Sequence, residues 1–377
     1  MLVVFEFKRL YEDKMLEGIR IIEFEGLGPA PFASMLLADL GAEVITIHRA
    51  IPAETPGNAP ENPLDRGKRS IVLDLKSTED IEVVKSLLST ADGLIEGMRP
   101  GVMERLGLAP ELVLKDNPNL VYGRMTGWGQ EGPLAKYAGH DLNYIGRAGA
   151  LWYASKPGSP PFTPPTLVGD IGGGALYLVV GMLSAFLRVK NGGKGCVVDC
   201  AIVDGAAHMM SLLLSLRSSG GLKTERGQST LDGPHWSRCY AAKGGGYMSV
   251  QCLEPKFYAT FLKCLELEED VQFLSQFDKS LWPELSARLS AVFAKKSVAE
   301  WDAVFTGTDA CVAPVLSPEG SGKDPHIAAR DIWFNSQGHL QARPAPRFSN
   351  WDPKSYAAIP VKDGDREDIL AELKIER

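Results

Sequence analysis

The stretch Gly18–Phe24 (GIRIIEF), followed by Glu25-Gly26-Leu27-Gly28-Pro29-Ala30-Pro31, decides the fold. A short apolar run rich in isoleucine and bounded by a glycine-proline loop reads as a buried strand. Prolines at the start and Gly41 just past the end bracket a helix over about Pro31–Leu40. Proline lacks an N–H that a first helical turn leaves unpaired anyway, and glycine tolerates the backbone that ends a helix. Working outward, Glu43–His48 (EVITIH) and Ser70–Leu75 (SIVLDL) predict two more strands, and Ser77-Thr78-Glu79-Asp80 carries the capping signature of the helix that follows. Strands near Gly93–Glu96 and Leu120–Arg124 continue the series. Such alternation predicts an α/β fold, a parallel sheet covered by helices on both faces. The first loop reads Gly26-x-Gly28-Pro29-x-Pro31 and not GxGxxG. Without the third glycine, and with two prolines, the turn that holds a dinucleotide pyrophosphate is not expected. The sheet is therefore predicted to be Rossmann-like in shape but not in nucleotide chemistry.

Further along, Asp170 opens a long apolar helix (DIGGGALYLVVGMLSAFL), Gly195–Ile202 reads as another strand, and Ser218-Ser219-Gly220-Gly221 marks a break. Beyond it the pattern changes to a hairpin over Ser237–Val250, turning at Gly244-Gly245-Gly246, and helices near Lys256–Leu265, Trp282–Phe293 and Val298–Thr306. The proline-rich tail from Arg343 (RPAPRFSNWDP) has no helical period until Arg366. The predicted organisation is a large Rossmann-like domain over residues 15–217, a small α+β domain over 225–335, and a C-terminal strap over 340–377 returning to the large domain.

Composition narrows the partners. The chain has 377 residues, 45% of them hydrophobic and 23% charged, enough to bury a core without staples. A formal charge of −7 argues against nucleic acid as a bulk partner, because phosphate backbones are gripped by clustered Lys and Arg. Cys196, Cys200, Cys239, Cys252, Cys264 and Cys311 form no CxxC pair and no zinc-ligand spacing, so no metal site is expected and a reducing compartment is. The apolar run Ala175–Leu187 is too short to span a membrane. The apolar opening Met1-Leu2-Val3-Val4-Phe5 is cut short by Glu6 and Lys8, and the C-terminal Lys374-Ile375-Glu376-Arg377 is not an SKL-type address. A cytoplasmic protein is the expectation.

Four segments carry candidate chemistry: Met125-Thr126-Gly127-Trp128-Gly129-Gln130, Gly139-His140-Asp141-Leu142-Asn143-Tyr144, Leu167-Val168-Gly169-Asp170-Ile171-Gly172-Gly173-Gly174, and Leu253-Glu254-Pro255-Lys256. Taken singly, each has an ordinary explanation. Glycine and proline make turns, a His beside an Asp is usually a structural pair, an Asp before an apolar helix caps it, and Glu254 before a proline starts a helix.

Together, and in order along the chain, they sit among further motifs: GLGPAPF (26–32), LADLGAEVI (37–45), GKRSIVLDLK (67–76), RPGVMERLGL (99–108), TGWGQEGP (126–133), GHDLNY (139–144), VGDIGGG (168–174), GTDACVAPVL (307–316) and RPAPRFS (343–349). From about Met15 to Ser349 the chain resembles the family III CoA-transferase (CaiB/BaiF-like) superfamily, and most closely its α-methylacyl-CoA racemase branch. The resemblance implies that His140 and Asp170 are the acid/base pair and that Glu254 is a carboxylate hydrogen-bonded to the histidine. For CoA it implies Arg49, Leu73-Asp74-Leu75-Lys76, Gly97-Met98-Arg99, Arg105, and the histidine loop with Gly139, Asp141, Leu142, Asn143 and Tyr144. It also implies an interlocked homodimer and an acyl-CoA thioester as substrate, with no separate cofactor.

The residue types suit such chemistry. Inverting a stereocentre beside a thioester carbonyl takes a base on one face and an acid on the other. Imidazole titrates near neutral pH and serves in either role. A carboxyl serves if burial raises it, whereas a position at a helix start would lower it. The glycines at 169 and 172–174 are expected to let backbone N–H groups reach the enolate oxygen. The nearest rival is a CoA-transferase in which Asp170 is the nucleophile; His140 favours the racemase, because transferases generally lack a histidine in that loop. A non-catalytic CoA-binding protein is a third reading, opposed by the retention of all three acid/base candidates. Two departures from the racemase pattern, Asp232-Gly233-Pro234-His235-Trp236 and Gln251-Cys252-Leu253, are expected along the path of the acyl chain.

Overall fold

A computed structural model describes residues 14–50, 61–351 and 358–375. The apolar opening, the last two residues and positions 352–357 of the expected strap lie outside the described residues. The chain divides into two compact units, the first drawn from Met1–Leu151, Thr163–Met209 and Asp331–Arg377, the second from Trp152–Phe162 and Met210–Arg330. The chain thus leaves the first unit for eleven residues before Thr163 and again after Met209, until Asp331 brings it back.

In the first unit, six strands form one sheet: β1 (Arg20–Phe24), β2 (Glu43–Arg49), β3 (Arg69–Leu73), β4 (Gly93–Glu96), β5 (Val121–Thr126) and β6 (Val197–Ala201). Their order is β3-β2-β1-β4-β5-β6 and every pairing is parallel. This is the doubly wound order, and it reverses between β1 and β4, where a crevice opens at the carboxyl ends of the strands. Adjacent residues of β1 explain the two layers. Ile22 and Phe24 pack with Ile45, Ile71, Val84, Leu87 and Leu94 on one face, while Ile21 packs with Ala33, Leu37, Leu178 and Met182 on the other. The covering helices are α1 (Pro29–Asp39), α2 (Thr78–Ser89), the short α3 (Val102–Arg105) and α4 (Pro110–Asp116), α5 (Asp141–Ala148), α6 (Leu176–Lys190) and α7 (Ile202–Met209). Helix α1 starts at Pro29 behind a left-handed Gly28, and the Ser77 hydroxyl caps α2 by accepting from the Asp80 amide.

The long apolar helix begins earlier than expected and in a different form. Leu167–Ala175 is π-helical and runs directly into α6. The continuous run Leu167–Lys190 has 24 residues, long and apolar enough by length and composition to cross a membrane, which corrects the expectation that the apolar run is too short. One face of it is used in packing, with Leu178, Val179, Met182, Ala185 and Phe186 buried, while Leu167, Leu176, Val180 and Leu187 are exposed. The free edge of β3 is covered by the tail. The amides of Ser70 and Val72 donate to Asp365 Oδ2 and Asp363 Oδ1 at 2.8 and 2.6 Å, and Arg366 donates to the Val72 carbonyl at 2.6 Å. A hairpin of Trp333–Ser336 and His339–Ala342, absent from the sequence reading, also belongs to this unit.

In the second unit, α8 (Ser211–Ser215) precedes β7 (Ser237–Ala241) and β8 (Tyr247–Gln251), an antiparallel hairpin turning through the left-handed Gly244, Gly245 and Gly246 as expected. The strand β9 (Val312–Val315) pairs with β8. Helices α9 (Pro255–Cys264), α10 (Trp282–Phe293) and α11 (Val298–Phe305) share a core with these strands, built on Trp236, Tyr240, Phe261, Phe293 and Trp301. His235 and Trp236 are both fully buried in it. The expectation that this segment lines an acyl path is therefore corrected for both side chains: His235 Nε2 lies 2.7 Å from the Tyr258 hydroxyl, inside the core.

Candidate active site

Asp170 sits at the switch point. A Cβ placed on Gly28, in the loop leaving β1, would lie 3.7 Å from Asp170 Oδ2. Asp170 therefore faces the crevice where β1 and β4 diverge. It is carried by the π-helical segment, a form that often marks functional sites because the wider turn re-aims side chains. What holds this turn open is the first residue of α5. Asp141, itself only 7% exposed, accepts hydrogen bonds from both the Gly169 and Asp170 amides at 3.0 Å, through the single oxygen Oδ1. A side chain at Gly169 would meet that oxygen at 2.3 Å, so the glycine is required by the contact.

His140 is the N-cap of α5 and its side chain is exposed. Its amide donates to Asn143 Oδ1 at 3.0 Å, which fixes the backbone on the approach to the helix. Tyr144, one turn on, donates to the Gly139 carbonyl, and its ring fills the space that a side chain at Gly127 would need. Trp128 meets it edge-on with ring centroids 4.8 Å apart. The loop after β5 and the histidine loop are thereby locked together. Asn143 and Tyr144 thus have structural work within the loop, while Leu142 is exposed at its surface.

The electrostatics answer the question left open by the sequence. Burial pushes the Asp170 carboxyl up to about 6, the neighbouring Asp141 charge pushes the same way, and His140 opposes both. Desolvation wins over the pull of a helix start. The Tyr144 hydroxyl is also raised, by burial and by Asp170, with Arg99 pulling it down. Asp170, His140, Asp141, Tyr144 and Arg99 are therefore within electrostatic reach of one another. One expectation is corrected here. The Gly169 amide, like that of Asp170, is already taken by Asp141 and so is not an open oxyanion donor, while Gly173 and Gly174 are packed against Ala206 and Ile202. The glycines serve close packing with α7, where a Cβ on Gly205 would fall 1.9 Å from the Gly173 carbonyl oxygen.

The basic candidates share the carboxyl edge of the sheet. Arg49 ends β2 in register with Leu73, which ends β3 and leads into Asp74, Leu75 and Lys76. Asp74 Oδ1 accepts from the Lys76 amide at 3.0 Å, and Asp80 Oδ2 accepts from the Asp74 amide at 2.7 Å. Gly97, Met98 and Arg99 follow β4, and Arg105 ends α3. Arg49, Lys76, Arg99 and Arg105 are exposed. The loop after β4 is braced from below. Glu96, raised by burial, accepts the Met98 amide at 2.6 Å and Arg124 at 2.9 Å, and Arg124 also reaches Glu104 at 2.9 Å. Two residues at this edge escaped the sequence reading. Burial alone would raise Glu25, but His48 and the Arg49 amide, with Lys362 from the tail at 3.4 Å, bring it down to about 2. Nothing in the local sequence around Lys362 signals its place there; it arrives through the long return of the tail. Glu254 is in the second unit, exposed, at the N-cap of α9. Among the described residues no group of three or more His, Cys, Asp or Glu could hold a metal ion.

Comparison with known proteins gives this geometry its family. The model of CoA-transferase family III matches residues 16–365. The α-methylacyl-CoA racemase of Mus musculus is 41% identical over 338 residues, covering 89% of this chain and 87% of the mouse protein. The racemase of Homo sapiens is 37% identical over 96% of this chain and 94% of its own length. Among solved structures, a CaiB/BaiF family protein from Brucella suis superposes with a TM-score of 0.82 at 25% identity, covering 96% of this chain and all of that one. The chain belongs to CoA-transferase family III.

Proposed function

We propose that the protein is an α-methylacyl-CoA racemase, interconverting (R)- and (S)-2-methylacyl-CoA thioesters. The observation that carries this reading is a half-buried carboxyl at about 6 beside an exposed imidazole at the switch-point crevice. The Asp170 carboxyl at about 6 is placed where it can both take and give up a proton near neutral pH, and the imidazole supplies the second acid/base group. One of the pair takes the α-proton, leaving an enolate conjugated with the thioester; the other returns a proton to the opposite face. Atoms and charge balance without a redox partner, because the thioester itself acidifies the carbon. Arg49, Lys76, Arg99 and Arg105, on the carboxyl edge of the sheet, are the proposed grips for the CoA phosphates, with Leu73, Asp74, Leu75, Gly97, Met98 and the Gly139–Tyr144 loop beside them. We take the enzyme to be a cytoplasmic homodimer, in which Glu254 of one subunit meets His140 of the other.

The test is incubation with a panel of 2-methylacyl-CoAs in heavy water. One deuterium should enter at the α-carbon with loss of stereochemical purity, and combined His140→Ala and Asp170→Asn should abolish it. Exchange that survives the double variant refutes the assignment. Family membership also supports a CoA-transferase with Asp170 as nucleophile. CoA appearing on an added free acid would select that reading instead.

A further inference from the structure

We propose that Asp141 is a positioning residue for Asp170: it clamps the π-helical backbone that carries Asp170 and faces that carboxyl with a second negative charge. This rests on the proton-transfer reading of the site and deepens it. The geometry is specific. One carboxylate oxygen accepts two successive amides, Gly169 and Asp170, at 3.0 Å each, and Gly169 leaves only enough room for that oxygen. The other oxygen, Oδ2, is buried with no hydrogen-bond partner. Leaving a buried carboxylate oxygen unpaired costs about 1–3 kcal/mol, a cost that a purely structural cap would avoid with a single-oxygen side chain such as Ser. The charge therefore has a use, and the nearest group for it to act on is Asp170.

The charged surroundings of Asp170 support this. From α5 come Asp141, which raises its proton affinity, and His140, which lowers it. Tyr144, also on α5, lies near it, and Arg99 from the loop after β4 acts on Tyr144. The other elements packed against the π-helical turn spend their charges elsewhere. Asp204 of α7 acts on Asp199 and Cys200, and His208 of α7 bonds Tyr177 of α6 at 2.6 Å. Asp39, at the end of α1, pairs with Arg66, Arg124 of β5 pairs with Glu96 and Glu104, and Arg188 and Lys190 lie at the far end of α6. Asp141 is thus the one anion acting on Asp170 among the described residues. Two carboxylates side by side resist double ionisation, so one of them keeps its proton to higher pH.

The discriminating variant is Asp141→Asn, which keeps an oxygen for both amides but removes the charge. The readout is α-deuterium exchange against pH. The acidic limb of the wild-type profile, set by Asp170, should move down by about half to one pH unit in the variant. Asp141→Ala, which removes the clamp as well, should lower kcat by about tenfold or more. An unmoved limb in Asp141→Asn overturns the proposal. A second measurement does not need turnover: carbon-13 NMR of the carboxyl signals, with the Asp170 signal assigned by its loss in Asp170→Asn, should show Asp170 titrating lower in Asp141→Asn than in the wild type. If wild-type protein exchanges no α-proton, the racemase reading fails while the NMR comparison still decides the role of Asp141. If Asp141→Asn fails to fold, amide hydrogen exchange on the wild type decides the clamp: protected Gly169 and Asp170 amides support it and rapid exchange at both refutes it.

Discussion

Replacing Asp170 with asparagine should abolish α-proton exchange and at the same time make the protein more stable at neutral pH. The second effect follows from the raised carboxyl. An ordinary Asp titrates near 3.8, and here burial and Asp141 push it up to about 6. The native state therefore holds the proton more tightly than the unfolded chain does. The stability contributed by this group is fully present below 3.8 and is lost as pH rises through 6, so the ionised carboxylate is a liability at pH 7 to 8. Taken at face value the displacement corresponds to roughly 3 kcal/mol; with partial solvent access the expected gain in Asp170→Asn is about 1–2 kcal/mol at pH 8. Below pH 4 both forms are neutral and the gain should vanish. Urea denaturation at pH 4, 6 and 8, followed by circular dichroism, reads this directly as a shift in midpoint that grows with pH. A variant no more stable than wild type at pH 8, or equally more stable at every pH, would refute the reasoning, because either result means that ionisation of Asp170 is not what the fold resists.

Other perturbations test different parts of the molecule. Burial holds the His235 imidazole down to about 3, so its neutral form stabilises the second unit above 6.5, and that stability drains away as pH falls from 6.5 toward 3. Between pH 7 and 5 this should amount to about 2 kcal/mol of unfolding free energy in urea denaturation, and His235→Leu should flatten the dependence. Lys68→Met should cost about 3–5 kcal/mol, since Lys68 Nζ lies 2.6 Å from Glu23 in a fully buried pair and the carboxyl would lose its cation, keeping only the Thr46 hydroxyl; adding Glu23→Leu should recover most of the loss in the same denaturation assay. Gly205→Ala should be worse tolerated than any surface change, because its Cβ would fall on the Gly173 carbonyl, and backbone against backbone has no rotamer to yield. A loss of α-proton exchange together with a lowered unfolding midpoint is the expected result.

How much of this was legible in the sequence depends on the range over which each feature is determined. The strands of the sheet are short, apolar and punctuated by glycine and proline, so Glu43–Arg49 and Gly93–Glu96 appear almost where the residues place them. The hairpin over β7 and β8 is signalled just as locally by Gly244, Gly245 and Gly246. The π-helical form of Leu167–Ala175 is not, because its cause lies elsewhere: Gly173 is pressed by Ala206 and Gly169 by Asp141, residues 33 and 28 positions away in the chain. The same holds for Lys362 beside Glu25, and for the core place of His235, which a turn-like Asp-Gly-Pro context disguised. Roles that depend on a single partner far along the chain leave no periodicity to read.

The two chemistries open to the family make different demands on the same carboxyl, and this bears on which one the site suits. A nucleophile that forms an anhydride must be ionised and poorly solvated, and a group at about 6 meets that demand at pH 7, being mostly carboxylate. A general base for an α-proton needs the same ionisation, plus a proton affinity high enough to hold what it takes, and the raised value meets that demand as well. Asp170 alone therefore does not separate them. The imidazole does. A transferase has no use for a second acid/base group on the far side of the α-carbon, whereas inversion fails without one. His140 is exposed, and it is fixed by its own amide bond to Asn143 at the start of the helix whose first residue clamps Asp170. The fold thus ties both groups to one short element, so that moving either would disturb the other. Coupling of that kind is what a two-base proton transfer requires and what a lone nucleophile does not.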